Sequence, residues 1–93
     1  MKGHNITHSE NRARLARIEG QVRAVGRMIE EGEYCIDIIT QIQAARAALQ
    51  SVSKIILEKH LKHCVVTALE THDSAEIDEK IGEILTIIKR MEK

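Results

Sequence analysis

The sequence predicts an all-α protein: a three-helix protomer with a long central helix that pairs antiparallel with the same helix of a second copy. Apolar residues recur at alternating steps of three and four along most of the chain, which is the spacing of an amphipathic helix. No Pro interrupts these stretches, and no segment alternates like a β-strand. Tyr34 is the only aromatic residue among 93. A chain this small without large core side chains is expected to complete its core with other copies of itself.

The first helix is predicted from about residue 8 to residue 30. The segment Thr7-His8-Ser9-Glu10 has the spacing of a capping box, in which hydroxyl and carboxylate accept from each other's free backbone N–H groups. Gly32 is placed to end the helix. Residues 1–7 are expected to form a flexible arm. The apolar stripe of this helix consists of Leu15, Ile18, Val22, Val25 and Ile29.

The second helix is predicted from Glu33 to about Glu70, because this stretch contains neither Gly nor Pro. A continuous helix of this length is about 57 Å long, which exceeds the diameter expected of a compact chain of this size. The helix therefore has to extend beyond its own protomer and be covered by another. Its apolar stripe consists of Ile38, Ile42, Ala45, Leu49, Val52 and Ile56.

The third helix is predicted to begin at Asp73-Ser74-Ala75-Glu76, which has a second capping-box spacing. Gly82 lies within this helix and costs about 1 kcal/mol relative to Ala. The sequence contains no linker and no internal repeat, so residues 1–93 are expected to form a single domain. The broad apolar face of the third helix consists of Ile77, Ile81, Ile84, Leu85 and Ile88.

The net charge of zero hides an uneven distribution along the chain. Residues 1–28 carry six Lys or Arg and two Glu, whereas residues 29–93 carry eight basic and twelve acidic side chains. A basic N-terminal segment on an acidic body favours an anionic partner for one face of the protein.

The cellular compartment that the sequence predicts indicates the redox state of the two cysteines. No apolar run is long enough for a signal peptide or a membrane span, so a cytoplasmic location is expected. Thiols stay reduced there. Two cysteines in that compartment, Cys35 and Cys64, are more often ligands or reactive thiols than a disulfide.

His60 and Cys64 are four residues apart on the second predicted helix, so both side chains project from one face, one turn apart. Alone, this pair also fits a structural Cys beside a surface His. Cys35 lies 25 residues before His60, about 37 Å along the same helix. Two antiparallel copies of that helix can bring Cys35 of one chain to His60 and Cys64 of the other. The oligomer would then hold two identical sites per dimer.

Two thiolates and one imidazole are soft ligands that select Cu(I), Zn(II) or similar ions. Three ligands suit trigonal Cu(I), whereas structural zinc takes four. His63 is next to Cys64 but points about 100° away on the helix, since a helix turns by that angle per residue. The sequence therefore favours Cu(I) as the bound ion.

The sequence resembles the copper-sensitive operon repressors, the CsoR/RcnR family of all-helical bacterial regulators. The similarity covers nearly the whole chain. Four segments carry it, and two of them contain the candidate metal ligands: residues 14–23 (RLARIEGQVR), 33–38 (EYCIDI), 41–45 (QIQAA) and 57–64 (LEKHLKHC).

The resemblance implies a homodimer built on antiparallel helices that assembles into a flat dimer-of-dimers homotetramer. It also implies binding to pseudo-palindromic operator DNA without a helix-turn-helix, and release of that DNA when Cu(I) binds between protomers. It assigns the metal ligands to Cys35 of one chain and to His60 and Cys64 of its partner, and places Tyr34 beside them. The DNA face is implied to include Arg14, with Arg17 and Lys54 as its neighbours.

Two departures from the family leave alternatives open. Copper-sensing relatives carry a Glu where Lys80 aligns, and nickel- and cobalt-sensing relatives use a His near the position of His4. A nickel or cobalt sensor is therefore one alternative. A persulfide sensor would use the two cysteines and leave His60 unexplained, and a copper-buffering protein would leave the basic first helix unexplained. An enzyme is not expected, because no acid–base or nucleophilic set remains outside the metal ligands.

Overall fold

The all-α fold with three helices is confirmed. The computed structural model describes residues 7–92 and contains the α-helices α1 (Arg12–Glu30), α2 (Cys35–Thr71) and α3 (Ser74–Met91), with no strand in that part of the chain. The described residues divide into two compact units, His8–Lys54 and a second that contains Thr7 and residues 55–92. The first six residues of the expected flexible arm, including His4, lie outside the described residues.

The beginning of α1 differs from the prediction. A single 3-10 turn, Ser9–Asn11, occupies the predicted start, and the α-helix begins at Arg12. Asn11 is the N-cap residue, but its side chain makes no cap hydrogen bond because its oxygen accepts from Arg14 instead. At the other end, Gly32 has a φ of 67°, which is a conformation that favours glycine. The predicted end of the helix at Gly32 is therefore confirmed.

The long second helix is confirmed as one uninterrupted element of 37 residues. Apolar residues lie on all sides of α2 and not on one stripe only. Ile36, Ile39 and Ile42 are exposed, while Ile38 between them is half-buried. A helix that is apolar all round is normally buried on more than one side. The first half of α2 is therefore suited to contact with more than one neighbouring helix.

The predicted start of α3 is confirmed at Asp73. Its carboxylate accepts hydrogen bonds from the backbone N–H groups of Ala75 (3.1 Å) and Glu76 (3.3 Å). The carboxylate of Glu76 lies 3.9 Å from the Lys80 ammonium, one turn further along α3. The Asp73 side chain thus satisfies two first-turn N–H groups of α3, which is the usual role of Asp at an N-cap.

Few apolar side chains are buried within a single chain. In the unit His8–Lys54 the buried apolar residues are Ile18, Ala45 and Val52, and in the second unit Ile84 is buried. Half of the residues in the three predicted apolar stripes are exposed: Leu15, Val22, Ile29, Ile42, Leu49, Ile81, Leu85 and Ile88. Apolar residues that are scattered singly over a protein surface are normal, but these residues lie together on helix faces. Such faces mark surfaces for contact with another protein. No helix within residues 7–92 has the length and apolar character needed to cross a membrane.

Candidate metal centre

The side chains of His60 and Cys64, two possible donors to a soft metal ion, contact each other. Nε2 of His60 lies 3.5 Å from Sγ of Cys64, and the contact is partly buried. Both residues lie in the second half of α2, within the second unit. The i, i+4 spacing places the two side chains on one face of the helix, one turn apart. The predicted pairing of imidazole and thiol is therefore confirmed as a contact.

The distance between these two donors fits a single ion. Metal–sulfur and metal–nitrogen bonds of about 2.3 Å and 2.0 Å, the values known for Zn²⁺, span 3.5 Å when the angle between them is about 110°. That angle lies within the range of trigonal and tetrahedral coordination. The separation of the two donor atoms is thus compatible with one ion bound by both side chains.

Cys35 is the first residue of α2 and is an exposed free thiol. Within residues 7–92 of one chain, no group of three or more His, Cys, Asp or Glu side chains is arranged to hold a metal ion.

An apolar cavity of about 140 Å³ adjoins Cys64 within the second unit. It lies between α2 and α3, and its walls include Leu61, Val65 and Ile84. Lys80 also lines this cavity and is half-buried. Cys64 therefore adjoins a largely apolar surface in the second unit.

The other predicted residues lie on exposed surfaces. Tyr34, immediately before α2, is 68% exposed. Arg14 and Arg17 on α1 and Lys54 on α2 are exposed as well, as contact with DNA phosphates requires. His63, the neighbour of Cys64, is half-buried, and its carbonyl oxygen accepts a hydrogen bond from Thr67.

Sequence reasoning missed one residue near the predicted DNA face. Asn11 is only 5% exposed, although it lies in a polar segment. Its Oδ1 accepts a hydrogen bond of 3.1 Å from Nη1 of Arg14. The i, i+3 spacing of Asn11 and Arg14 was the available signal, but it does not indicate burial.

Comparison with known proteins connects this geometry to a family. Residues 7–90 match the model of the family described as metal-sensitive transcriptional repressor. The chain is 47% identical over 78 residues to the copper-sensing transcriptional repressor RicR of Mycobacterium tuberculosis, covering 84% of this chain and 80% of that protein. It is 42% identical over 80 residues to the copper-sensing transcriptional repressor CsoR of Bacillus subtilis, covering 86% of this chain and 76% of that protein.

Two solved structures have a similar backbone. One is the copper-sensing repressor CsoR with Cu(I) from Geobacillus thermodenitrificans, with a TM-score of 0.80, 39% identity, and coverage of 98% of this chain and 95% of that chain. The other is the nickel-responsive transcriptional regulator InrS, with a TM-score of 0.77, 27% identity, and coverage of 98% of this chain and 99% of that chain.

Proposed function

The chain belongs to the metal-sensitive transcriptional repressor family, and we propose that it is a Cu(I)-responsive repressor that binds operator DNA in its apo form and releases the DNA when Cu(I) binds. The observation that carries this proposal is the contact between His60 and Cys64, 3.5 Å apart on one face of α2. Thiolate and imidazole ligands select soft ions such as Cu(I). The similarity to two copper-sensing repressors supports the same ion.

The proposed site is shared between two chains. His60 and Cys64 come from one chain and Cys35 from its antiparallel partner, which gives two thiolates and one imidazole. Two observations support this division. One chain brings together no group of three such ligands within its described residues, and Cys35 is exposed and open to contact. Tyr34 precedes Cys35 and would lie beside the completed site.

Each chain is proposed to be a single domain over residues 1–93. The proposed assembly is a homotetramer in the cytoplasm, a dimer of antiparallel dimers. The exposed apolar faces of all three helices support contact between copies. Such an assembly presents Arg14, Arg17 and Lys54 several times on one surface, which suits a pseudo-palindromic operator because its half-sites repeat with the same symmetry. The protein acts in this proposal by binding alone and catalyses no reaction.

The metal assignment is tested by anaerobic titration of the protein with Cu(I), Ni(II) and Zn(II), followed by X-ray absorption. We expect one Cu(I) per protomer, three ligands and predominantly sulfur scattering. Coordination by four or more nitrogen or oxygen ligands, or nickel binding that Cu(I) does not displace, contradicts the assignment. The nickel alternative has support in the similarity to InrS, but its additional ligand, His4, lies outside the described residues.

Mixing two inactive variants is expected to restore copper binding if the site is shared between chains. Cys35→Ala removes the ligand of one chain, and the double variant His60→Ala/Cys64→Ala removes those of the other. In a heterodimer of the two, one site keeps all three native ligands and the other keeps none. We therefore expect one tightly bound Cu(I) per heterodimer, measured by competition with a chromophoric Cu(I) chelator.

The matched control for this mixture is Cys35→Ala combined with the triple variant Cys35→Ala/His60→Ala/Cys64→Ala. This pair exchanges chains in the same way but cannot assemble an intact site. Subunit exchange is verified in both mixtures by native mass spectrometry. Equal copper binding by the two mixtures, with heterodimers present in each, contradicts the shared site.

A further inference from the structure

Asn11 is a buried polar residue at the beginning of α1, the helix that carries the basic side chains Arg14 and Arg17. It is 5% exposed, and it is the one polar residue among the five buried residues of the described chain. It is the N-cap residue of α1, but its side chain makes no hydrogen bond to the N–H groups of the helix. Buried amides normally satisfy both their oxygen and their nitrogen, so the burial of this side chain calls for a specific role.

The Asn11 side chain is committed to Arg14. Nη1 of Arg14 donates a hydrogen bond of 3.1 Å to Oδ1 of Asn11 and a second of 3.4 Å to the carbonyl oxygen of Glu10. Nδ2 of Asn11 is buried and has no hydrogen-bond partner within residues 7–92. Among the described residues, the side-chain amide of Asn11 therefore makes its hydrogen bond through Oδ1 only, and the donor of that bond is the Arg14 guanidinium.

The two hydrogen bonds use one nitrogen of the guanidinium and leave its outer edge available. A guanidinium has five N–H donors, and both acceptors lie on Nη1. Nε and Nη2 are left, and they form the edge that pairs with two oxygens of a phosphate. Arg14 is exposed, so this edge can face solvent or a nucleic-acid backbone.

We infer that Asn11 is a positioning residue for DNA binding, which holds the guanidinium of Arg14 with its Nε–Nη2 edge directed to a phosphate. This inference rests on the proposed function, in which Arg14 contacts operator DNA. An unrestrained Arg side chain loses conformational entropy when it binds a phosphate. A guanidinium that is already oriented loses less of it. Asn11 touches no DNA in this account and acts through Arg14 alone.

A double-mutant cycle tests the inference. Wild type, Asn11→Ala, Arg14→Ala and the double variant are compared in fluorescence anisotropy with a duplex selected from a random library by the wild-type apo protein. We expect Asn11→Ala to weaken binding about threefold to tenfold, the effect of one lost hydrogen bond. In the Arg14→Ala background the same change has no effect. The salt dependence falls in Arg14→Ala, since a phosphate contact is lost, but not in Asn11→Ala.

Gln21→Ala is the matched control, because Gln21 also lies on α1 and has a buried side-chain oxygen without a partner in residues 7–92. It lies seven residues from Arg14, so its effect is expected to be the same in both Arg14 backgrounds. Circular dichroism verifies that each variant is folded. Nitrogen-15 relaxation of the Arg14 side chain gives a readout without DNA, and we expect greater mobility in Asn11→Ala than in wild type.

The outcomes separate this inference from the proposed function. If Arg14→Ala weakens binding but Asn11→Ala does not, or weakens it equally in both backgrounds, Asn11 does not position Arg14 and only the inference fails. If Arg14→Ala leaves DNA affinity unchanged, the DNA contact of Arg14 is wrong and the inference fails with it. Failure of the wild-type protein to select any duplex contradicts the proposed function itself.

Discussion

Replacing Cys64 with Ala is expected to lower the affinity for Cu(I) by several orders of magnitude. The change removes one of two proposed thiolate ligands and leaves His60 without the sulfur that lies 3.5 Å from its Nε2. Loss of a residue that only orients a metal ligand costs roughly 10–100-fold in affinity, and loss of a ligand is expected to cost more. Cys35→Ala should have a comparable effect, whereas His60→Ala should have a smaller one, because two thiolates can still hold Cu(I).

His63→Ala is the control for the Cys64 variant. His63 is the neighbour of Cys64 in the chain, but it projects from another side of α2, about 100° away. Competition with a chromophoric chelator measures the affinities of the wild type and of the four variants. Retention of wild-type affinity in Cys64→Ala, or a loss of equal size in His63→Ala, contradicts the proposed ligand set.

His60→Ala is expected to bind operator DNA normally in the apo form and to respond poorly to copper. In the proposed site Cys64 and His60 both lie in the second half of α2, and His60 gives the ion a second attachment to that part of the helix. Without it the ion can be held by two sulfurs with less constraint on the two helices. Since a ligand can shift DNA affinity only by its difference in affinity for the two states, copper is then expected to release less DNA.

The expected change in operator affinity on copper binding follows from the usual range of coupling free energies between two binding sites. A coupling of roughly 1–3 kcal/mol in the wild type corresponds to an operator affinity that is about 5–150-fold lower with copper. In His60→Ala the ratio should approach one while Cu(I) remains bound. A ratio as large as that of the wild type, with copper shown to be bound, means that His60 does not transmit the signal.

The fold was predictable because strong local signals determine it. The stretch without Gly or Pro forms one helix over Cys35–Thr71, and the Asp73 side chain begins α3. The beginning of α1 was less predictable. Thr7 and Asn11 both precede the apolar stripe, and the choice between them depends on contacts that a local pattern does not encode.

The candidate site was predictable only within one helix. The spacing of His60 and Cys64 is sufficient to bring the two side chains together, because helix geometry relates residues four apart. The contribution of Cys35 depends on a second chain and stays a prediction. Asn11 was missed because Asn in a polar segment is usually exposed, and its burial follows from the folded chain alone.

Fluorescence anisotropy of labelled operator duplex, titrated with wild-type protein with and without stoichiometric Cu(I), tests the central proposal most directly. The duplex is the one selected by the apo protein, and oxygen is excluded so that Cys35 and Cys64 stay reduced. We expect tight binding by the apo protein and binding at least about fivefold weaker with Cu(I). Equal affinity of the two forms would contradict a copper-released repressor, whatever the metal site proves to bind.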